Sequence, residues 1–204
     1  GGTMKKSIFI YLMVFSFVMF LSGSAFAAYQ DTNFTLLLGF DVLGNVELDY
    51  GTITVDEDVK VGFTPGIEGR YHVQEQISVG LGFRYQIPRE QDVDNGIEFG
   101  FAPIYGILQF NIPQQGFTFG LLAHLGYNFF YADLDDLEKA TPGQPSMDTE
   151  GGFYWGIGAN VTLTNNIRIE ALYNVNYGAI TVDGSSEDGD VTYTKLTLAI
   201  GYCF

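Results

Sequence analysis

The sequence predicts an all-β fold: an eight-stranded antiparallel up-and-down transmembrane β-barrel. Three observations predict it. Apolar residues recur at every second position through most of the chain, the period of a strand with one greasy face. The runs are joined by connections that alternate between short and long. The apolar face is also too bulky for the inside of so narrow a ring, so it must point outward.

Each run has its own apolar parity. The first extends near Phe34 to Tyr50, with Phe34, Leu36, Leu38, Phe40, Val42, Val46 and Leu48 on one face. The second runs near Val59 to Val73 through Val59, Val61, Phe63, Pro65, Ile67 and Tyr71. The third carries Ile77, Val79, Leu81, Phe83, Tyr85 and Ile87. The fourth carries Ile97, Phe99, Phe101, Pro103, Tyr105 and Ile107. The fifth, the longest, carries Phe117, Phe119, Leu121, Leu125, Tyr127, Phe129 and Tyr131. The sixth shows Phe153, Trp155, Ile157, Val161 and Leu163, and the seventh Ile167, Ile169, Tyr173, Val175 and Tyr177. The eighth ends the sequence: Leu196, Leu198, Ile200, Tyr202 and Phe204 alternate with the small residues Thr197, Ala199, Gly201 and Cys203. The pattern is weakest at the end of the fourth run. There Gln109 and Asn111 take the greasy parity while Phe110 and Ile112 do not, so a bulge or the membrane edge is expected. Pro65 and Pro103 each remove a ladder hydrogen bond, and bulges are expected at both.

Residues His72–Gln76, Pro113–Gly116 and Thr164–Asn166 form tight polar connections. Tyr50–Asp58, Pro88–Gly96, Asp133–Gly151 and Thr181–Asp190 form long ones. Eight antiparallel strands with both ends on one side produce this alternation. A soluble lipocalin-like barrel shares the strand pattern but turns its apolar face inward. Side-chain volume decides against it here. The opposite parity is rich in glycine (Gly39, Gly62, Gly66, Gly80, Gly82, Gly100, Gly106, Gly120, Gly126, Gly156, Gly158, Gly178 and Gly201). A crowded lumen needs such space, and a water-facing surface does not. Tyr50, Tyr71, Tyr85, Tyr131, Trp155, Tyr177 and Tyr202 collect near strand ends, as aromatic girdles do.

The first residues set the compartment. Gly1-Gly2-Thr3 read as an upstream extension. Met4, Lys5 and Lys6, the apolar run Ile8–Leu21 and Ala25-Phe26-Ala27 then read as a signal peptide with an A-x-A cleavage site. The apolar run falls short of the roughly 20 residues a spanning helix needs. Residues 1–27 are therefore expected to be removed, leaving 28–204 as one barrel domain. The single cysteine, Cys203, cannot form an internal disulfide, and the absence of a Cys/His cluster argues against zinc.

The closing run, with Phe204 last and Tyr202 two places earlier, resembles the final strand of bacterial outer-membrane barrels. Along its length the chain resembles the small OmpX/Ail-like and OmpA membrane-domain-like superfamily. That resemblance implies a Gram-negative outer-membrane location and a monomer with no cofactor. It also implies contact with membrane lipid and lipopolysaccharide, and reading of Tyr202 and Phe204 by the outer-membrane assembly machinery. Relatives of this kind serve in envelope integrity, adhesion, anchoring or narrow pores. No cell-wall-binding domain follows Phe204, so a peptidoglycan tether is not expected.

Charge completes the expectation. The chain has 24 acids and 9 bases, a net charge of −15. Parity places Asp41, Glu47, Asp49, Glu68, Glu98 and Glu170 inside, with Lys60, Arg70, Arg84, Arg168 and Lys195, beside His72 and His124. A cation facing lipid would cost roughly 2–4 kcal/mol at the midplane, whereas sealed charges need partners. A two-layer ion-pair network is therefore expected, with Glu68, Arg70, Arg168 and Glu170 in the periplasmic layer. Glu47, Asp49, Lys60, Arg84 and Glu98 are expected in the outer layer. The long connections are acidic, a field that repels nucleic acid. Asp133, Asp135, Asp136, Asp183, Glu187, Asp188 and Asp190 are weak candidates for Ca²⁺ or another divalent cation, because clustered carboxylates suit hard cations. Their spacing does not match an EF-hand loop, and acidity for solubility is the plainer explanation. Lipid-modifying barrel enzymes need a Ser beside a His at the lipid boundary. Neither histidine has a serine two residues away, so no enzyme is expected. The expected function is a structural or surface-interaction role; the alternative is a narrow cation-preferring porin or channel.

Overall fold

The computed structural model describes residues 32–50, 53–90, 98–133, 147–182 and 189–204. The expected signal peptide, residues 1–27, lies outside them. Ten strands follow in order: β1 (Thr32–Tyr50), β2 (Ile53–Val59), β3 (Gly62–Gln74), β4 (Ile77–Arg84), β5 (Arg89–Glu90), β6 (Glu98–Gln114), β7 (Phe117–Ala132), β8 (Met147–Leu163), β9 (Ile167–Val182) and β10 (Gly189–Cys203). Each pairs antiparallel with its neighbours, and β10 pairs with β1. Because β2 and β3 both pair with β1, and β4 and β5 both pair with β6, the ten segments close into a ring of 8 strands. The β10–β1 pairing closes the sheet on itself, as a lipid-embedded sheet requires; the short segments β2 and β5, at the end away from the tight turns, pair with β1 and β6 respectively.

Three tight turns join β3 to β4, β6 to β7 and β8 to β9. Gly116 adopts φ 92° and Asn166 φ 67°, left-handed conformations that suit these two residue types. The first connection expected to be long is a correction. Ile53–Val59 is strand, laddered to β1 from Tyr50↔Ile53 to Gly44↔Val59.

Leu36, Leu38, Phe40, Leu81, Leu121, Leu125, Ile169, Leu198 and Ile200 are exposed around the outside, as the outward apolar band requires. Three face assignments need correction. In the second run Val59 is buried in the lumen and Lys60 is exposed, because the break between β2 and β3 reverses the parity there. In β6 the whole parity is inverted. Phe99, Phe101, Tyr105 and Ile107 are buried in the lumen with Gln109 and Asn111, while Ile104, Leu108, Phe110 and Ile112 are exposed. The polar end of the fourth run was therefore the true guide to its inner face, and the β6–β7 register has no shift. Gly100 and Gly106 accordingly lie outside the lumen, Gly100 beneath the Tyr131 ring. In β1 the register shifts between Val42 and Asn45, with Leu43 at φ 52°. Beyond this bulge Val46 turns inward, and Glu47 and Asp49 turn out.

No bulge occurs at Pro103, and the β3–β4 register runs unbroken from Gly66 to His72. The effect falls on the strand between the two prolines instead. Residues 85–88 leave strand geometry there. Tyr85 N–H donates to Pro65 O at 2.9 Å, and Gln86 N–H donates to Phe101 O at 2.9 Å. Alternate residues bond to the same neighbour, so Pro65 offers no donor to Tyr85 and Pro103 none to Arg84, at the point where β4 ends.

Inward glycines give room to large neighbours. A Cβ on Gly82 would lie 2.4 Å from the Tyr105 ring, and one on Gly120 would lie 2.7 Å from both Gln109 and Asn160 side-chain atoms.

Candidate functional site

The lumen is filled in successive levels from the tight-turn end upward. At that end Arg168, from β9, donates through Nη1 to Thr35 Oγ1 at 3.1 Å and through Nε to Thr162 Oγ1 at 3.2 Å. Beside it a polar chain links four strands, β6, β4, β3 and β1. Asn111 donates to Ser78 Oγ at 2.7 Å, Ser78 Oγ contacts His72 Nδ1 at 2.8 Å, and His72 Nε2 contacts Asn33 Nδ2 at 2.8 Å.

The next level is a four-membered ion cluster. Glu68 and Arg70 lie two residues apart on β3, Arg84 is on β4 and Glu170 on β9. Arg70 bridges to Glu68 and, at 3.5 Å, to Glu170. Arg84 bridges to Glu170 and, at 3.1 Å, to Glu68. Tyr105 donates to Glu68 at 2.9 Å, and Arg168 stands 3.7 Å from the same carboxylate. Arg70 also donates to Gln109. His124 stacks on Tyr105 at 4.4 Å between ring centroids. All four charged groups are buried.

A third level centres on Asp41 from β1. It accepts from Lys195 at 2.7 Å, Arg89 at 2.9 Å and Thr197 at 2.6 Å, and also from Thr64. Lys195 further donates to Gln86 at 2.9 Å. A chain runs between the two ionic levels: His124, stacked on Tyr105, contacts the Tyr154 hydroxyl at 3.4 Å, Tyr154 donates to Asn174 at 2.7 Å, and Asn174 donates to Thr197, the donor to Asp41, at 2.8 Å.

Above the ions lies an apolar layer. Phe101 stacks between Phe130 at 4.8 Å and Tyr193 at 5.9 Å, Phe99 packs edge-on to Tyr193 at 5.4 Å, and Val46, Val59 and Val191 complete the cluster.

Of the residues expected in the lumen, Asp41, Glu68, Arg70, Arg84, Arg168, Glu170 and Lys195 lie in these ionic levels. Four do not. Glu47, Asp49, Lys60 and Glu98 are exposed, because the β1 bulge, the break between β2 and β3 and the inverted parity of β6 each turn a side chain over. Arg84 belongs to the central cluster rather than the outer layer. Arg89, assigned to a loop by its position after Pro88, is buried against Asp41, with Gly62 leaving room for its guanidinium. Its inward direction depends on the break at 85–88, which no periodicity reveals. Tyr105, Gln109 and Asn111 also belong to the network; the polar pair at the end of the fourth run was the signal for them. The buried cations Arg70, Arg84, Arg89, Arg168 and Lys195 face the carboxylates Asp41, Glu68 and Glu170, an excess of two positive charges among the described residues.

Tyr202 and Phe204 are both exposed on the outer face, with ring centroids 5.0 Å apart, and Phe204 N–H donates to Phe34 O at 2.7 Å. Among the cation candidates, Asp133 and Asp190 are exposed, while Asp135, Asp136, Asp183, Glu187 and Asp188 lie outside the described residues. Among the described residues no group of three or more metal-ligating side chains converges.

A closed antiparallel ring, hydrocarbon outside and charged within, defines a transmembrane β-barrel protein. The chain belongs to the outer membrane protein beta-barrel domain family, whose profile matches residues 13–204, and it is a protein of the bacterial outer membrane. The fold is similar to that of OprG from Pseudomonas aeruginosa, with a TM-score of 0.55 and 13% identity over 85% of this chain and 96% of that one. It is also similar to AlkL, determined by solid-state NMR in DMPC bilayers, with a TM-score of 0.51 and 17% identity over 87% and 92%. Neisserial surface protein A aligns over 83% of this chain and 96% of its own, with 16% identity and a TM-score of 0.49. No curated protein matches the chain by sequence.

Proposed function

We propose that this protein is an ion-tight, non-enzymatic barrel that acts through its envelope structure and its acidic extracellular rim. The observation that carries this reading is the filled lumen: two buried ionic levels under an aromatic layer. Ions crossing it would have to break paired charges held in a low-dielectric interior, which is costly. The alternative, a narrow cation-preferring pore, is disfavoured by sign, since five lumenal cations oppose three carboxylates. At the rim, Glu47, Asp49, Asp56, Asp58, Asp133 and Asp190 are exposed. A surface of this kind favours cationic partners over nucleic acid.

Ser78 and His72 come together although their sequence spacing hides it, because the β3–β4 ladder sets them opposite each other. Ser78 faces the lumen, is buried and already accepts from Asn111. It is out of reach of lipid acyl groups, and we read the pair as part of the polar filling.

Planar-bilayer recording on the refolded protein tests the proposal. The expected trace is silent across a salt gradient. Reproducible conductance steps from the unmodified protein would refute it, and a cation-selective reversal potential would establish the alternative.

A further inference from the structure

The wall kinks twice at one height, on adjacent strands. In β1 the bulge puts Leu43 at φ 52° with its side chain 81% exposed. Beside it, Lys60 and Val61 leave strand geometry between β2 and β3, and Val61 is 69% exposed. Gly44 pairs with Val59, so the two kinks are neighbours in the ladder. Below them the outward residues are Phe40 and Phe63, whose rings touch at 5.0 Å. Above them the outward face turns acidic within one residue pair. Glu47 sits opposite Asp56, and Asp49 opposite Asp190.

Two facts need a common cause. A leucine in the left-handed region is strained, and strain persists only where something offsets it. Gly44 accounts for part, since any Cβ there would meet the Tyr193 hydroxyl at 2.7 Å. That fixes the bulge but not the choice of leucine, because Asn or Gly would take the same φ at less cost. An exposed leucine gains nothing from water, and it gains burial energy from hydrocarbon. Carboxylates behave the opposite way, so the bilayer has to end before Glu47 and Asp56.

We propose that the paired kinks mark the extracellular lipid boundary on this side of the barrel. Leu43 and Val61 dip into the acyl region continuous with Phe40 and Phe63, Lys60 lies at the headgroup phosphates, and the carboxylate face of β10, β1 and β2 stands in water. The partner is the lipid bilayer itself. The contact would hold the barrel at a fixed depth whether or not its lumen conducts.

Nitroxide depth measurements test it in dimyristoylphosphatidylcholine vesicles. Single labels are placed through Leu43→Cys, Val61→Cys, Glu47→Cys and Asp56→Cys in a Cys203→Ala background, and collisions with oxygen and a water-soluble nickel chelate are compared. The depth parameter should be positive at 43 and 61 and negative at 47 and 56. A negative value at 43 or 61, or a positive one at 47 or 56, would overturn the assignment. Leu43→Asn provides an independent check, because Asn tolerates the left-handed φ. Its urea midpoint in the same vesicles should fall through lost lipid contact. A midpoint that stays or rises would mean that the leucine side chain is idle in water.

Discussion

Glu68 is the residue on which the central lumen turns, and Glu68→Gln changes its charge while keeping its shape. In the native barrel this side chain is 0% exposed and neutralises Arg70 and Arg84, with Arg168 3.7 Å away. The amide would leave three guanidinium groups sharing Glu170 alone and raise the lumenal excess from two positive charges to three. Breaking a buried pair by removing one partner costs about 3–5 kcal/mol. With a urea slope of roughly 2 kcal/mol/M, the unfolding midpoint should fall by about 2 M. The single tryptophan, Trp155, lies on the outer wall away from the substitution, so its fluorescence in detergent micelles can follow the transition. The double variant Glu68→Gln/Arg84→Met removes a cation with the anion. It should recover much of the loss, giving a coupling energy of about 1–3 kcal/mol in the cycle. An unfolding free energy within about 0.5 kcal/mol of the native protein's for Glu68→Gln alone would show that water screens these charges. The picture of a dry, sealed lumen would then fail.

Gly82→Ala should cost about 1–3 kcal/mol through displacement of the Tyr105 ring, read from the same urea titration, whereas Gly116→Ala should leave the lumen intact and strain only its turn. Leu125 is 63% exposed on the outer wall; Leu125→Arg should destabilise the barrel by roughly 2–4 kcal/mol in lipid vesicles, and a neutral result would mean that this face does not meet hydrocarbon. Glu47→Lys converts the cross-strand pair with Asp56 from repulsive to attractive and should stabilise by about 0.2–1 kcal/mol at low salt, an effect that has to shrink as salt is added.

What could be read without coordinates was whatever depends on period and bulk. Alternation of apolar residues specified strands, the rhythm of turns specified an antiparallel ring, and the volume of the aromatic face specified lipid outside. The same parity placed Asp41, Glu68, Arg70, Arg168, Glu170 and Lys195 on the side away from lipid, because a cation or acid on regular strand geometry has only two directions to take. Tertiary structure decided every position downstream of an irregularity. A one-residue slip reverses all later side chains, so the Leu43 bulge sent Glu47 and Asp49 into water, and the slip at Pro88, between exposed Ile87 and buried Arg89, sent Arg89 inside. β6 was ambiguous for another reason. Both of its faces are apolar, and aromatic packing over Tyr193 and Phe130 in the lumen outweighed the local pattern. Periodicity carries the direction of a side chain only as far as the ladder stays in register; past that point, only contacts between strands distant in sequence determine it.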